Sequence, residues 1–380
     1  MRFEALEKYI DNLDELHQIP GRYIIVTHHG KRVFEHGAGF FDEAKTKPFT
    51  ADSLVNLYSC TKPITCTAAL QLLERGKFLL EDPISNYLPA FKEMTVRHTL
   101  PGGVTELRKA KHPILIHHLF TMTAGLGYNL TSPSILEVQK SSAGRCPTIE
   151  TINAIANEPL LFEPGSAFRY SLCHDVLGAL IEVLSGMSFG EYLKKNIFEP
   201  LGMENTGFAV NDEIYARMAD QYTRTESGAI ENIGKNNEYR LGSDYESGGA
   251  GLISCADDYI RFVTAMSLFG KSPEGAQILS KSTINMMRAT HIKPVELDGL
   301  MMRAFEPQGY HYGLGVRTAV GTTTGALPSR GEFGWNGAAG SHVIIDPDEE
   351  IAVFYEQHRR NSPTATIQPR IRNMVYAELV

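Results

Sequence analysis

Leu57-Tyr58-Ser59-Cys60-Thr61-Lys62-Pro63 is the stretch whose reading decides the fold, because it sets a hydroxyl and an amine three residues apart where a helix begins. Residues at i and i+3 share one helical face, so the Lys62 nitrogen can reach the Ser59 oxygen. Serine is a weak nucleophile until a neighbouring base takes its proton, and a desolvated lysine is one such base. Upstream, Asp52 to Tyr58 is partly alternating and reads as extended. Pro63 is tolerated only in a first helical turn, so the helix starts close to Ser59. Ile64, Ala68, Leu70, Leu72 and Leu73 follow on most faces, as in a buried helix, which Arg75-Gly76-Lys77 closes. A reactive pair placed there would sit at a helix N-terminus, where free amides favour developing negative charge. The bland alternative is an N-capping serine with a solvated lysine one turn on.

The chain has 380 residues, 43% hydrophobic and 21% charged, which suits one large or two medium soluble domains with an ample core. A formal net charge of −8 without a dense Lys/Arg run argues against nucleic acid as a partner. Five scattered cysteines (Cys60, Cys66, Cys146, Cys173, Cys255) with no C-x-x-C pair read as reduced thiols. The charged N-terminal residues lack a signal-peptide core, and no apolar run is long enough for a membrane span. A cytoplasmic protein with no membrane association is the expectation.

Phe3, Leu6, Tyr9, Ile10, Leu13 and Leu16 repeat at helical spacing and predict a first amphipathic helix. Tyr23–His28, a turn at His29-Gly30, and Arg32–His36 read as a hairpin. The other end mirrors this: Ser341–Asp346, a Pro347-Asp348 turn, Glu350–Glu356, then a helix carrying Ile367, Ile371, Val375 and Leu379. Helical patterns fill the middle at 114–122, 148–157, 172–185, 189–197, 256–269 and 280–289. The expected fold class is therefore α/β (α+β): an antiparallel sheet flanked by helices and built from both termini, residues 1–85 and 297–380, with a mainly helical domain over 86–296 and the site between them.

Further candidates are weak one at a time. Tyr170, on the turn after Glu163-Pro164-Gly165 and before a helix, can aim its phenol into a cleft, though tyrosines there are more often packed aromatics. Gly334-Trp335-Asn336-Gly337-Ala338-Ala339-Gly340 precedes a strand, and its small residues would let a substrate approach a backbone N–H. Gly186-Met187-Ser188-Phe189-Gly190 matches the G-x-S-x-G pattern, but helices on both sides make Ser188 a cap at a helix–helix turn. The pairs His28-His29 and His117-His118 lack companions at zinc spacing, and there is no Walker or Rossmann fingerprint, so neither metal nor cofactor is expected.

Taken in order, S-x-x-K, then Tyr170-Ser171 before a helix, then a small-residue motif before a late strand resemble the serine β-lactamase-like superfamily. The branch is that of class C β-lactamases, D,D-peptidases, D-aminopeptidases and family VIII carboxylesterases. His118–Gly127, Phe162–Gly165, Phe198–Met203, Ser247–Ser254 and Tyr312–Gly315 extend the resemblance over nearly the whole chain. It implies a β-lactamase/transpeptidase-like fold, Ser59 as the acylated nucleophile, Lys62 as its general base and Tyr170 as proton relay. The oxyanion hole would be the amides of Ser59 and Ala338; Trp335, Asn336, Gly337, Leu172 and Tyr128 would bind substrate, and Ser171 need not react. Two departures stand out: Leu172 replaces the asparagine usual in lactamases, and Trp335-Asn336-Gly337 replaces Lys- or His-Thr-Gly, much as Trp-Gly-Gly does in family VIII esterases. An indole in place of a cation removes an ion-pair partner for a substrate carboxylate and adds apolar area. The expectation is a penicillin-binding-protein-like serine hydrolase acting as a carboxylesterase on small neutral esters. The alternatives are a β-lactamase, D,D-peptidase or other amidase, an acyltransferase, or a silent binding protein. The sequence leaves the oligomeric state open.

Overall fold

His29 and Gly30 both adopt positive φ (50° and 72°), which a two-residue hairpin turn needs to match the twist of its strands. The computed structural model, which describes residues 3–100, 102–292, 309–321 and 326–380, accordingly joins Gly21–His28 to Lys31–Gly39 there. Gly21–His28 pairs on its other side with Ile351–Gln357, so the two ends of the chain meet in one sheet, as expected from the mirrored hairpins. Among the described residues seven strands lie in it, all neighbours antiparallel. Their order is Lys31–Gly39, Gly21–His28, Ile351–Gln357, His342–Asp346, Phe333–Gly334, Arg317–Ala319, Tyr310–Tyr312.

Alternation along the strands sorts side chains to two faces. Ile24, Val26, Ile344, Ile351, Val353 and Tyr355 meet Leu6 and Ile10 of the first helix and Ile367, Ile371 and Val375 of the last. Ile25, Val343, Ile345, Ala352 and Phe354 point the other way, into the main core. Both sets of side chains are buried, and burying each of the larger aliphatic ones contributes about 1.5–3 kcal/mol. The first helix differs from the expectation by breaking at Asn12 into Glu4–Asp11 and Leu13–His17, before Gln18 turns the chain left-handed.

The Ala256–Ser267 helix packs on this second face, with Tyr259 stacked 4.4 Å from Phe354. Its place within 86–296 predicted membership of the helical part. An apolar stripe demands a partner surface without naming it, and here the sheet supplies it. The boundary expected at 296/297 lies outside the described residues. Thr61–Glu74 is buried from Thr61 to Leu72, which explains its lack of a polar face, and packs against Cys173–Ser185. Ile116–Phe120, Pro133–Ser141, Thr148–Ile155 and Phe189–Leu193 add further helices. Two hairpins, Thr95–Thr99 with Thr105–Lys109 and Gln221–Arg224 with Ile230–Gly234, complete the middle of the chain. Among the described residues no single helix is long and apolar enough to cross a membrane.

Candidate active site

A two-residue ladder, Val55–Asn56 against Ile253–Ser254, leads the chain to Tyr58, which takes φ +48°. A non-glycine residue in this left-handed region costs about 1–2 kcal/mol. The cost is met because Tyr58 is fully buried, its hydroxyl donates to Gln221 Oε1 at 2.6 Å, and its ring meets Tyr239 edge-on. The sharp turn leaves Ser59 half-buried at the head of the Thr61–Glu74 helix and Lys62 fully buried one turn later. Lys62 Nζ stands 3.4 Å from Ser59 Oγ and donates to the Gly249 carbonyl at 2.6 Å. Lys62 is thus not the solvated side chain of the bland alternative.

Tyr170 arrives from the other side. The amides of Arg169 and Leu172 donate to the carbonyls of Met122 (2.9 Å) and Gly127 (3.2 Å), which fixes the turn bearing Tyr170 to the 122–127 loop. Its hydroxyl donates to Ser59 Oγ at 2.7 Å. The Tyr170 ring lies parallel to Tyr128 (centroids 5.7 Å apart) and near-parallel to Trp335 (6.0 Å), whose Nε1–H donates to the Tyr170 hydroxyl at 3.3 Å. Lys62 Nζ lies 4.5 Å from the centre of the Tyr170 ring. Burial, with Tyr170 and Asp175 nearby, pushes the Tyr128 phenol well above its ordinary pKa, so Tyr128 is a neutral wall rather than a proton carrier.

The third segment abuts the Ser59 turn. A Cβ on Gly337 would lie 2.6 Å from the Leu57 carbonyl oxygen, so only glycine allows this approach. Ala338, next in sequence, is exposed, and among the described residues its amide has no acceptor. Asn336 accepts from Arg317 Nη1 at 3.0 Å and lies 2.7 Å from His342 Nδ1, so its side-chain oxygen is engaged behind the site. Leu172 is buried in the core at the start of the Cys173–Ser185 helix. Ser171 is turned inward, toward Cys173 and Met122. Tyr239, edge-on to Tyr128, and Tyr312, edge-on to Trp335, extend the aromatic wall. Tyr312 stands in a motif quoted above; nothing local in the sequence marks Tyr239 or the strained Tyr58.

Behind Asn336 lies a fully buried charge cluster. Glu332 pairs with Arg372 at 2.8 Å, lies 3.8 Å from Arg317 and accepts from the Tyr310 hydroxyl at 3.0 Å. Removing one partner of such a cluster strands the others without compensation. Glu332→Gln should therefore lower stability by about 3–5 kcal/mol in chemical denaturation. A loss under 1 kcal/mol would show that the arginines find other compensation.

The remaining candidates fall away from this site. Ser188 is an exposed helix cap, accepting from the Glu191 amide at 3.2 Å while Glu191 Oε2 accepts from the Ser188 amide at 3.0 Å. His118 Nδ1 accepts from the Leu115 amide, and burial pushes its pKa down to about 4. His28 and His29 stack on each other, and His29 pairs with Glu350. No group of three or more His, Cys, Asp or Glu able to hold a metal occurs among the described residues. Burial drives the Cys60 and Cys66 thiols far up, so the sulfur beside Ser59 is inert.

The sequence matches the model of the family described as Beta-lactamase over residues 6–373, and the chain belongs to that family. Esterase EstB from Burkholderia gladioli is 32% identical over 282 residues, spanning 69% of each chain. The solved structure of EstCE1, described as a hydrolase with promiscuous acyltransferase activity, is 26% identical. It covers 98% of this chain and 97% of its own, with a TM-score of 0.78. Simvastatin Synthase (LovD) from Aspergillus terreus shares the fold with a TM-score of 0.81, covering 98% of both chains at 23% identity.

Proposed function

We propose that this chain is a serine hydrolase that forms an acyl-enzyme on Ser59, and that its substrates are small neutral carboxylic esters. The observation that carries the reading is the convergence of Lys62 Nζ and the Tyr170 hydroxyl on one oxygen, Ser59 Oγ, at 3.4 and 2.7 Å. Lys62 takes the proton of Ser59 as Oγ bonds to the ester carbonyl carbon. The carbonyl electron pair moves onto its oxygen, which the amides of Ser59 and Ala338 stabilise. The intermediate then collapses, the C–O bond to the alcohol breaks, and Tyr170, replenished from Lys62, delivers the proton to the departing oxygen. Water repeats the sequence on the acyl-enzyme and releases the acid. Likeness to EstCE1 favours a second reading of this last step, in which an alcohol replaces water and the acyl group is transferred.

Preference for neutral esters rests on the wall of Trp335, Tyr170 and Tyr128. Arg317 touches this motif, but it is buried and bonded to Asn336 and the Val343 carbonyl, so it offers nothing to a substrate carboxylate. EstB supports the esterase reading by its name and its identity to this chain. Covering roughly 100 Å² of acyl surface contributes about 2.5 kcal/mol, close to 100-fold in rate when it is gained in the transition state. p-Nitrophenyl butyrate should therefore be turned over roughly 100-fold more efficiently than a chromogenic cephalosporin, with Trp335→Lys narrowing the gap. Efficient cephalosporin turnover with esters barely touched would instead favour the lactamase alternative.

A further inference from the structure

The Lys62 amine is aimed by a backbone carbonyl, that of Gly249, and the loop bearing it is tied to a buried acid that the proposed reaction does not use. Asp175 lies in the first turn of the Cys173–Ser185 helix and is 1% exposed. Its Oδ1 accepts from Ser247 Oγ at 2.6 Å and from the Tyr245 hydroxyl at 3.0 Å. Ser247 Oγ in turn accepts from the Ala250 amide at 3.1 Å, which closes the 247–250 turn on itself. A Cβ on Gly249 would stand 2.6 Å from Asp175 Oδ2 and 3.4 Å from Lys62 Nζ, so carboxyl and amine both crowd the same side of Gly249, where only glycine fits. Burial pushes the Asp175 carboxyl up, while the bond from Ser247 and the Lys62 charge oppose the rise. A buried acid is costly unless it is hydrogen-bonded, and the same bonds rigidify what they join.

We infer that Asp175 is a positioning residue for the general base: through Ser247 it holds the Gly249 carbonyl where it orients Lys62 Nζ toward Ser59 Oγ. The inference rests on the reading of Ser59 as nucleophile and Lys62 as base. Without the anchor the Gly249 carbonyl is free to shift, and a displacement of about 1 Å at a reacting group can cost on the order of 100-fold in rate. Substrate binding should be spared, because Asp175 lies behind Lys62 and not on the aromatic wall.

The test is steady-state kinetics on p-nitrophenyl butyrate together with the rate of Ser59 labelling by a fluorophosphonate. Asp175→Asn should lower kcat and the labelling rate by roughly 10- to 100-fold with KM within about twofold. Ser247→Ala removes the side-chain tie to the Gly249 turn, whereas Tyr245→Phe removes a bond to the same carboxyl oxygen without touching that turn. Ser247→Ala should reproduce the kcat loss and Tyr245→Phe should keep near-full turnover, a contrast that decides the matter even where Asp175→Asn fails to fold. Equal effects of the two, or an Asp175→Asn enzyme as fast as the wild type, would overturn the inference. Failure of the wild type to label at Ser59 would instead remove the nucleophile assignment beneath it.

Discussion

Ser59→Ala should abolish turnover, lowering kcat by roughly 10³-fold or more, because in the proposed reaction Lys62 and Tyr170 have no proton to move once the Ser59 hydroxyl is gone. The same substitution should abolish covalent labelling. In the wild type a fluorophosphonate should lose fluoride and leave one phosphonyl group, mapped by mass spectrometry to the peptide bearing Ser59. The loss should not come from unfolding. Ser59 is half-buried, and its removal gives up hydrogen bonds to Tyr170 and Lys62 worth about 1 kcal/mol each. Near-wild-type thermal stability with absent labelling is therefore the expected pair of results. Label found on Ser188 would contradict it, since Ser188 caps a helix with its hydroxyl accepting from the Glu191 amide, away from Lys62 and Tyr170.

The ends of the chain were legible because each strand carries enough residues to show alternation, and each turn its own chemistry. Gly21–His28 and Ile351–Gln357 have eight and seven residues, and His29-Gly30 announces the turn between the first two strands. The sheet's other edge was not legible. Tyr310–Tyr312, Arg317–Ala319 and Phe333–Gly334 have two or three residues each, too few to show a period, and long-range pairing alone makes them strands. Pro133–Ser141 escaped for a related reason: only Ile135 and Val138 are buried, although Ser132-Pro133 is a fair helix start.

At the site, the sequence showed which residues could react and not how they are held. Ser59, Lys62 and Tyr170 stand out through motif spacing and order. Asn336 and Gly337, placed by resemblance on the substrate, also lie at structural joints: one is bonded to Arg317, the other is pressed on Leu57. Such roles depend on neighbours remote in sequence, so spacing carries no trace of them. Tyr58 is the clearest case. Its strained backbone is what presents Ser59, yet nothing in its identity predicts a positive φ.

Lys62→Met and Tyr170→Phe should separate the two proposed proton carriers. Methionine approximates the buried volume of Lys62 but cannot accept a proton, so the acylation rate should fall roughly 10²- to 10⁴-fold for every ester. Phenylalanine keeps the stack on Tyr128 and Trp335 and removes only the hydroxyl that donates to Ser59. Tyr170→Phe should then depend on the leaving group. A p-nitrophenolate departs without help, whereas an ethoxide must be protonated as it leaves, so ethyl esters should lose far more than p-nitrophenyl esters in single-turnover acylation. Equal losses on both substrates would mean that Tyr170 orients Ser59 and delivers no proton to the alcohol. Lys62→Met retaining turnover within tenfold of wild type would move the general base elsewhere, with the Tyr170 hydroxyl, already 2.7 Å from Ser59 Oγ, next in line.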